Sequence, residues 1–459
     1  MIVLRAGTYF QPDPVVLGAQ DSGLTIQSYD GETAWLSGAK KLAPAWKPFN
    51  TSGQPLFVAD LAGQIAELGG SIPGLRVNGL RAVRARYPNF DPEVGFGSDL
   101  SAAGYLPTTP DPPLTAVLPP WPYKNTTAYG YHQFVLGIGG ACKDFTPQAG
   151  YWCGNHTQGG GGRRYGGVPG GILFDRSILP HSPYQNATGA VVQMWRPKHW
   201  SSWMFEVGAF NESSFVFAKG GFQGARGPGA SGGQFYVENL FEEWDNPNEY
   251  YFDEATQKLY YFHNASAGPS IAASTFEAVG STDLLRISGN MSQPAMNISI
   301  RGLGFRDTAY TYLHPHEMPS GGDWSLQRSG ALFMEGTVGT VVDACNFSRL
   351  DSNAIMISGF NRNTTISRNE IAWTGDNAIA AWGKTRIPAA DCPECAARAP
   401  GFGFDGTEGT QPRGTKIVDN LVHELGIFEK QSSLFFQAKS CQNTIKGNIF
   451  YNGPRAGIK

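Results

Sequence analysis

Thr340–Gly383 reads TVVDACNFSRLDSNAIMISGFNRNTTISRNEIAWTGDNAIAAWG, and within it one short pattern occurs twice: TVVDACNF is answered by TTISRNEI. Two more copies follow, TKIVDNLV from Thr415 and NTIKGNIF from Asn443, with Val342, Ile366, Ile417 and Ile445 in one aligned column and Cys345, Asn369, Asn420 and Asn448 in another. The steps are 24 residues from Cys345 to Asn369 and 28 from Asn420 to Asn448. A period of this size, rich in β-branched residues and Gly and without i, i+3, i+4 apolar spacing, predicts a parallel β-solenoid with one coil per repeat. An inward Asn at a coil corner tolerates left-handed backbone and bonds its counterparts on neighbouring coils, so the Asn column predicts a ladder; loop Asn on the surface is the alternative.

Working outward, IVLRAGTYF, PVVLGAQ, GLTIQSY and TAWLSG near the start read as further solenoid strands, separated by turns at Pro12–Pro14, Asp21–Gly23 and Asp30–Gly31. From Leu56 the pattern changes, with a short helix expected in LFVADLAGQIAELGG and a hairpin around Asn78-Gly79. Alternation returns in GAVVQMWRPKHWSSWMFEVGAF and SSFVFAKGG, and FYVENLFEEWDNPNEYYFDEATQKLYYF contains a hairpin that pairs Tyr250–Phe252 with Leu259–Tyr261. The fold class expected is all-β, a parallel β-helix interrupted by an inserted sandwich-like domain. Its parts are N-terminal coils over 1–73, the insert over 74–268 and the continuing helix over 269–459.

With 459 residues, 16% charged residues and net charge −3, the chain offers no basic patch for nucleic acid and no polybasic membrane contact. No run approaches the roughly 18 apolar residues of a membrane span. Asn-X-Ser/Thr occurs at Asn50, Asn125, Asn155, Asn186, Asn211, Asn264, Asn290, Asn297, Asn346 and Asn363, or 10 of 23 Asn. Random placement predicts about three, so the excess points to N-glycosylation in the secretory pathway and an extracellular protein, with Asn-rich turns as the alternative. Cys142 and Cys153 are the expected disulfide, Cys345 a buried small residue in the Asn column, and Cys392-Pro-Glu-Cys395 lacks the second half that a zinc site needs. The chain begins within a strand and ends in mid-coil, which predicts a fragment without its leader and final coils. A monomer is expected.

Asp351 and Asp376 follow repeat strands at comparable places, 25 residues apart, one coil plus one. Coils stack at about 4.8 Å, which brings such side chains within roughly 5–8 Å of each other. Retaining glycosidases hold their carboxyl pair about 5–5.5 Å apart and inverting ones about 6.5–9.5 Å, so the spacing suits glycoside hydrolysis. One carboxyl would then keep its proton as general acid while the other stays charged. Turn aspartates are the competing reading. Flanking candidates for substrate binding are His314, His316, Asp323, Trp373, Trp382, Glu429, Lys430, Gln431 and Arg455, the tryptophans as platforms for a sugar face. No metal ligand set is evident.

GTYF with DSGLTIQSYDGE, the hairpin segment, RLDSNAIMISGFNRNTTISRNEIAWTGDNAIAAWG and EKQSSLFFQAKSCQNTIKGNIFYNGPRAGI together resemble right-handed parallel β-helix (pectin-lyase-like) proteins related to the β-helix glycoside hydrolases, among them β-xylosidases, xylanases and α-L-fucosidases. The resemblance implies a polysaccharide or oligosaccharide substrate, Asp351 as nucleophile and Asp376 as acid/base; the β-xylosidases carry a glutamate as second acid where this chain has Asp376. It implies no cofactor. Two further readings share the architecture: a polysaccharide lyase, which would use calcium, and a non-catalytic glycan-binding or adhesive surface protein.

Overall fold

The computed structural model describes residues 1–49, 53–89, 106–107, 131–133, 169–174, 176–195, 202–223, 234–266, 268–314, 316, 326–385 and 406–459. It forms two compact units: Met1–Lys40, Ala278–Thr311 and Arg328–Lys459 make the first, Lys41–Glu277 and Tyr312–Gln327 the second. The elements are strands and single 3₁₀ turns, and no helix among the described residues is long and apolar enough to cross a membrane.

The first unit is a parallel β-helix. Each coil lays one short strand on each of three parallel sheets. In the coil that opens the key stretch these are Val341–Asp343, Asn346–Leu350 and Ile355–Arg362. The next coil repeats them as Thr365–Ser367, Glu370–Thr374 and Ile379–Trp382. Register follows the sequence columns, with Val342 over Ile366, Ile366 over Ile417 and Ile417 over Ile445, extended upward by Ile26 and Ile300. On the second sheet Phe305 and Phe347 stack with centroids 4.7 Å apart at 6°. These columns form one continuous core in which Ile300, Val342, Ile366 and Ile417 are wholly buried; each such side chain contributes about 1.5–3 kcal/mol of hydrophobic burial.

The turn from first to second sheet shows why the Asn column exists. Asn369 Oδ1 accepts from Cys345 N at 2.8 Å, Asn420 Oδ1 from Asn369 N at 2.9 Å, and Asn448 Oδ1 from Asn420 N at 2.9 Å. The amides also donate, Asn369 Nδ2 to Val342 O, Asn420 Nδ2 to Ile366 O and Asn448 Nδ2 to Ile417 O. Each side chain thus stands in for a peptide group at a corner where the backbone ladder is interrupted, and satisfies groups that would be costly to bury bare. The left-handed residue is not the Asn but the one before it, Ala344, Arg368, Asp419 or Gly447. Cys345 ends the column as a buried free thiol, pushed up to about 12 by burial.

The second unit is β-rich. Its largest sheet joins Val191–Trp195, Ser202–Asn211, Ser214–Gly220 and Gln234–Glu238 antiparallel, over a core of Phe174, Trp203, Phe205, Phe215 and Phe235. The hairpin pairs Tyr250 with Tyr261 and Phe252 with Leu259, and Leu56–Asp60 adds to its Lys258–Phe262 strand. That pairing keeps the segment before residue 74 with the second unit, whose span runs from Lys41 to Glu277 where the sequence suggested 74–268. The expected short helix is a single 3₁₀ turn, Ala66–Leu68. In chain order the two segments of this unit follow Ala34–Ser37 and Gly304–Arg306.

Candidate active site

Both aspartates stand at the corner between the second and third sheets of the β-helix. Leu350 pairs with Thr374 and Ile355 with Ile379, so Asp351–Ala354 and Gly375–Ala378 are equivalent turns on adjacent rungs. Asp351 is level with Gly375, and Asp376 with Ser352. Gly375 is required: a Cβ there would lie 2.3 Å from Asp351 O and 2.8 Å from Phe428 Cδ2, so the carboxylate of the second turn is displaced by one position. That displacement is the extra residue in the 25-residue spacing.

Asp351 is 4% exposed and Asp376 2%. Carboxylates are rarely so buried without a compensating partner. Asp376 Oδ1 lies 2.6 Å from Asn377 Nδ2 and 3.0 Å from Ser432 Oγ. Ser432 Oγ is also 2.6 Å from Glu429 O, a carbonyl that only accepts. The single hydroxyl hydrogen serves one oxygen or the other. A third buried acid, Asp307, lies on the rung before Asp351, but Arg349 grips it with two hydrogen bonds of 2.9 and 2.8 Å, which gives it a structural role.

The loop after Asp376's rung closes the corner. Gly426–Leu434 spans nine residues where the preceding coil uses four. It folds back so that Phe428 N and Glu429 N donate to Gly375 O at 3.1 and 2.9 Å. Glu429, Lys430 and Gln431 are buried in consequence, with Lys430 Nζ donating to Ile427 O at 2.9 Å. The structure therefore gathers Asp351, Asp376, Glu429, Lys430 and Gln431 at one corner. Arg455 is exposed in the equivalent turn of the last coil.

The other candidates lie elsewhere. Trp373, 44% exposed and in left-handed backbone, is the penultimate residue of the strand Glu370–Thr374, two residues before Gly375. Trp382 is buried on the outer face of the third sheet, 5.9 Å from the Phe436 ring, with the Arg328 guanidinium 5.4 Å from its own. His314 and His316 belong to the second unit, where His316 Nδ1 bonds His314 O at 2.7 Å and its ring stacks on Phe222. Asp323 lies outside the described residues, as do Cys142, Cys153, Cys392 and Cys395 and the sequons at Asn50, Asn125 and Asn155. Asn186, Asn290, Asn297 and Asn363 are exposed, and Asn211, Asn264 and Asn346 half-buried. Asn186, Asn211 and Asn290 each accept a backbone N–H two residues on, the turn role that competes with the glycosylation reading.

One feature of the corner went unread in the sequence. Asn353 Oδ1 accepts from Asn377 N and Nδ2, and Asn377 Oδ1 from Ser433 N at 2.8 Å. This second amide ladder lies two residues after Asp351 and one after Asp376, and it fixes both turns. The repeated Asn-Ala after each acid was its signal.

No protein-family model matches the sequence, and no curated protein does. Among solved structures, one described as "Glycoside hydrolase" aligns with TM-score 0.67 and 15% identity, covering all of this chain and 71% of its own. XylC in complex with xylose aligns with TM-score 0.40 and 10% identity, over all of this chain and 57% of its own. At such identities the first comparison establishes a shared fold, that of a structure described as a glycoside hydrolase.

Proposed function

We propose that the protein is an extracellular glycoside hydrolase of cell-wall or matrix polysaccharide whose two acids are Asp351 and Asp376. The observation that carries this reading is the burial of two carboxylates in equivalent turns of adjacent rungs, one of them set off by a glycine that the backbone demands. Asp351 attacks the anomeric carbon, and Asp376 protonates the leaving oxygen and then activates the water that releases the sugar. Ser432 Oγ and Asn377 Nδ2 hold Oδ1 of Asp376 in place at 3.0 and 2.6 Å and so orient that carboxyl. Lys430 and Gln431, on the loop whose Ser432 meets Asp376, are assigned as substrate contacts, and the likeness to a structure described as a glycoside hydrolase adds support. The excess of sequons, four of them exposed, is what supports an extracellular setting.

The test is turnover of plant and matrix polysaccharides and of aryl glycosides by the full chain, with Asp351→Asn and Asp376→Asn beside it. Each variant is expected to keep its circular dichroism spectrum and lose on the order of a thousandfold or more in kcat. Wild-type turnover that survives both substitutions overturns the assignment. So does an unsaturated product absorbing in the ultraviolet, which would identify a lyase.

A further inference from the structure

The second unit holds a cluster that glycoside hydrolysis does not use. Glu243, at the end of the 3₁₀ turn Phe241–Glu243, has a wholly buried side chain. Its Oε1 is bound by the Tyr184 hydroxyl, and its Oε2 lies 2.7 Å from His181 Nδ1. Asp245 joins them, with one donor atom from each of His181, Glu243 and Asp245 within 4.8 Å of the others. Asn89 Nδ2 steadies Asp245 Oδ1 at 2.6 Å.

A second observation is the surplus of negative charge. Glu242, next in sequence, uses Oε1 to accept from Gln185 N at 2.7 Å, while its Oε2 is buried without a hydrogen bond. Two carboxylates meet one imidazole, one of them fully buried, and the neighbouring Glu242 keeps an orphaned oxygen.

We propose that His181, Glu243 and Asp245 bind a divalent transition-metal ion, with zinc the best match, tying the turn after Arg176–Ile178 to the turn Phe241–Glu243. An imidazole nitrogen with two carboxylate oxygens suits zinc rather than calcium, which prefers oxygen alone. The 2.7 Å between imidazole and carboxylate is a hydrogen bond; two donors on one tetrahedral zinc lie about 3.3 Å apart, so the pair opens by about half an ångström as the ion takes the proton's place. Tyr184, on the far oxygen of Glu243, orients that ligand from behind. The site is independent of the reading of Asp351 and Asp376.

Zinc chloride titrated into chelator-treated full-length protein at neutral pH, followed by calorimetry and thermal unfolding, tests it. One saturable site and a raised melting temperature are expected, with affinity falling as pH drops and the imidazole holds its proton. Asp245→Ala, a change at an exposed position, is expected to weaken binding tenfold or more and leave the melting temperature of the metal-free protein near that of the parent; His181→Gln does the same to zinc binding by removing the nitrogen. Absence of saturable zinc binding by the parent overturns the proposal. So does binding that persists in Asp245→Ala and disappears in the double variant Cys392→Ser, Cys395→Ser, which would place the ion on the cysteine pair.

Discussion

Asp343 closes the first strand of its coil beneath two guanidiniums: Arg368 Nε and Arg301 Nη1 reach it at 2.9 and 2.7 Å, and Ser367 Oγ at 2.8 Å. The hydrogen bond from Arg368 is the main cause that holds its carboxyl below the usual range. A carboxyl lowered on folding contributes stability above its unfolded value, about 3.9, and loses that contribution as pH falls through the folded value. Asp343→Asn is therefore expected to cost about 1 kcal/mol at pH 7, a modest sum because Arg368 and Arg301 are substantially exposed, and to cost little near pH 2. Chemical denaturation at the two pH values checks this; equal losses at both would place the effect in packing. At this scale the sequence singled out Asp351 and Asp376 as candidates because their carboxylates follow a visible repeat. It did not reveal Asp307, whose burial depends on Arg349, a partner on another coil.

Among the elements, the Asn ladder is the part of the fold most plainly legible from sequence, because a corner that needs a side-chain amide on every rung needs the same residue type once per period. Asn420 sits mid-ladder, accepting from Asn369 and donating to Ile366 O and Asn448 Oδ1. Asn420→Ala leaves buried groups of both neighbours bare and is expected to cost about 2–4 kcal/mol. Hydrogen exchange should localise the loss to Lys416–Val418 and its partners Thr365–Ser367 and Thr444–Lys446; a cost under about 0.5 kcal/mol would mean that water replaces the amide. The Asn353–Asn377 ladder was harder to read because it spans only two turns and its residues adjoin the acids. The reach of the second unit back to Lys41 was legible only in part: the pattern changes from Leu56, but Leu56–Asp60 finds its partner strand some 200 residues later.

For the whole molecule, two cores with no residue in common imply two cooperative units. Calorimetry is expected to resolve two transitions. Phe215→Ala, which empties a wholly buried site in the second unit, should lower one of them by the equivalent of about 3–5 kcal/mol and leave the other in place. A single transition that moves as a whole would show that the units melt together.

The nine-residue loop Gly426–Leu434 has an implication for how such a molecule changes over time. On either side of it the rungs stay aligned, Val422 over Phe450 and Ile379 over Phe435, although the neighbouring coil makes the same crossing in four residues. Additions at this edge are absorbed without slipping the stack, so a lineage is free to lengthen, trade or graft crossings there and reshape what the acids meet while the scaffold that spaces them is untouched.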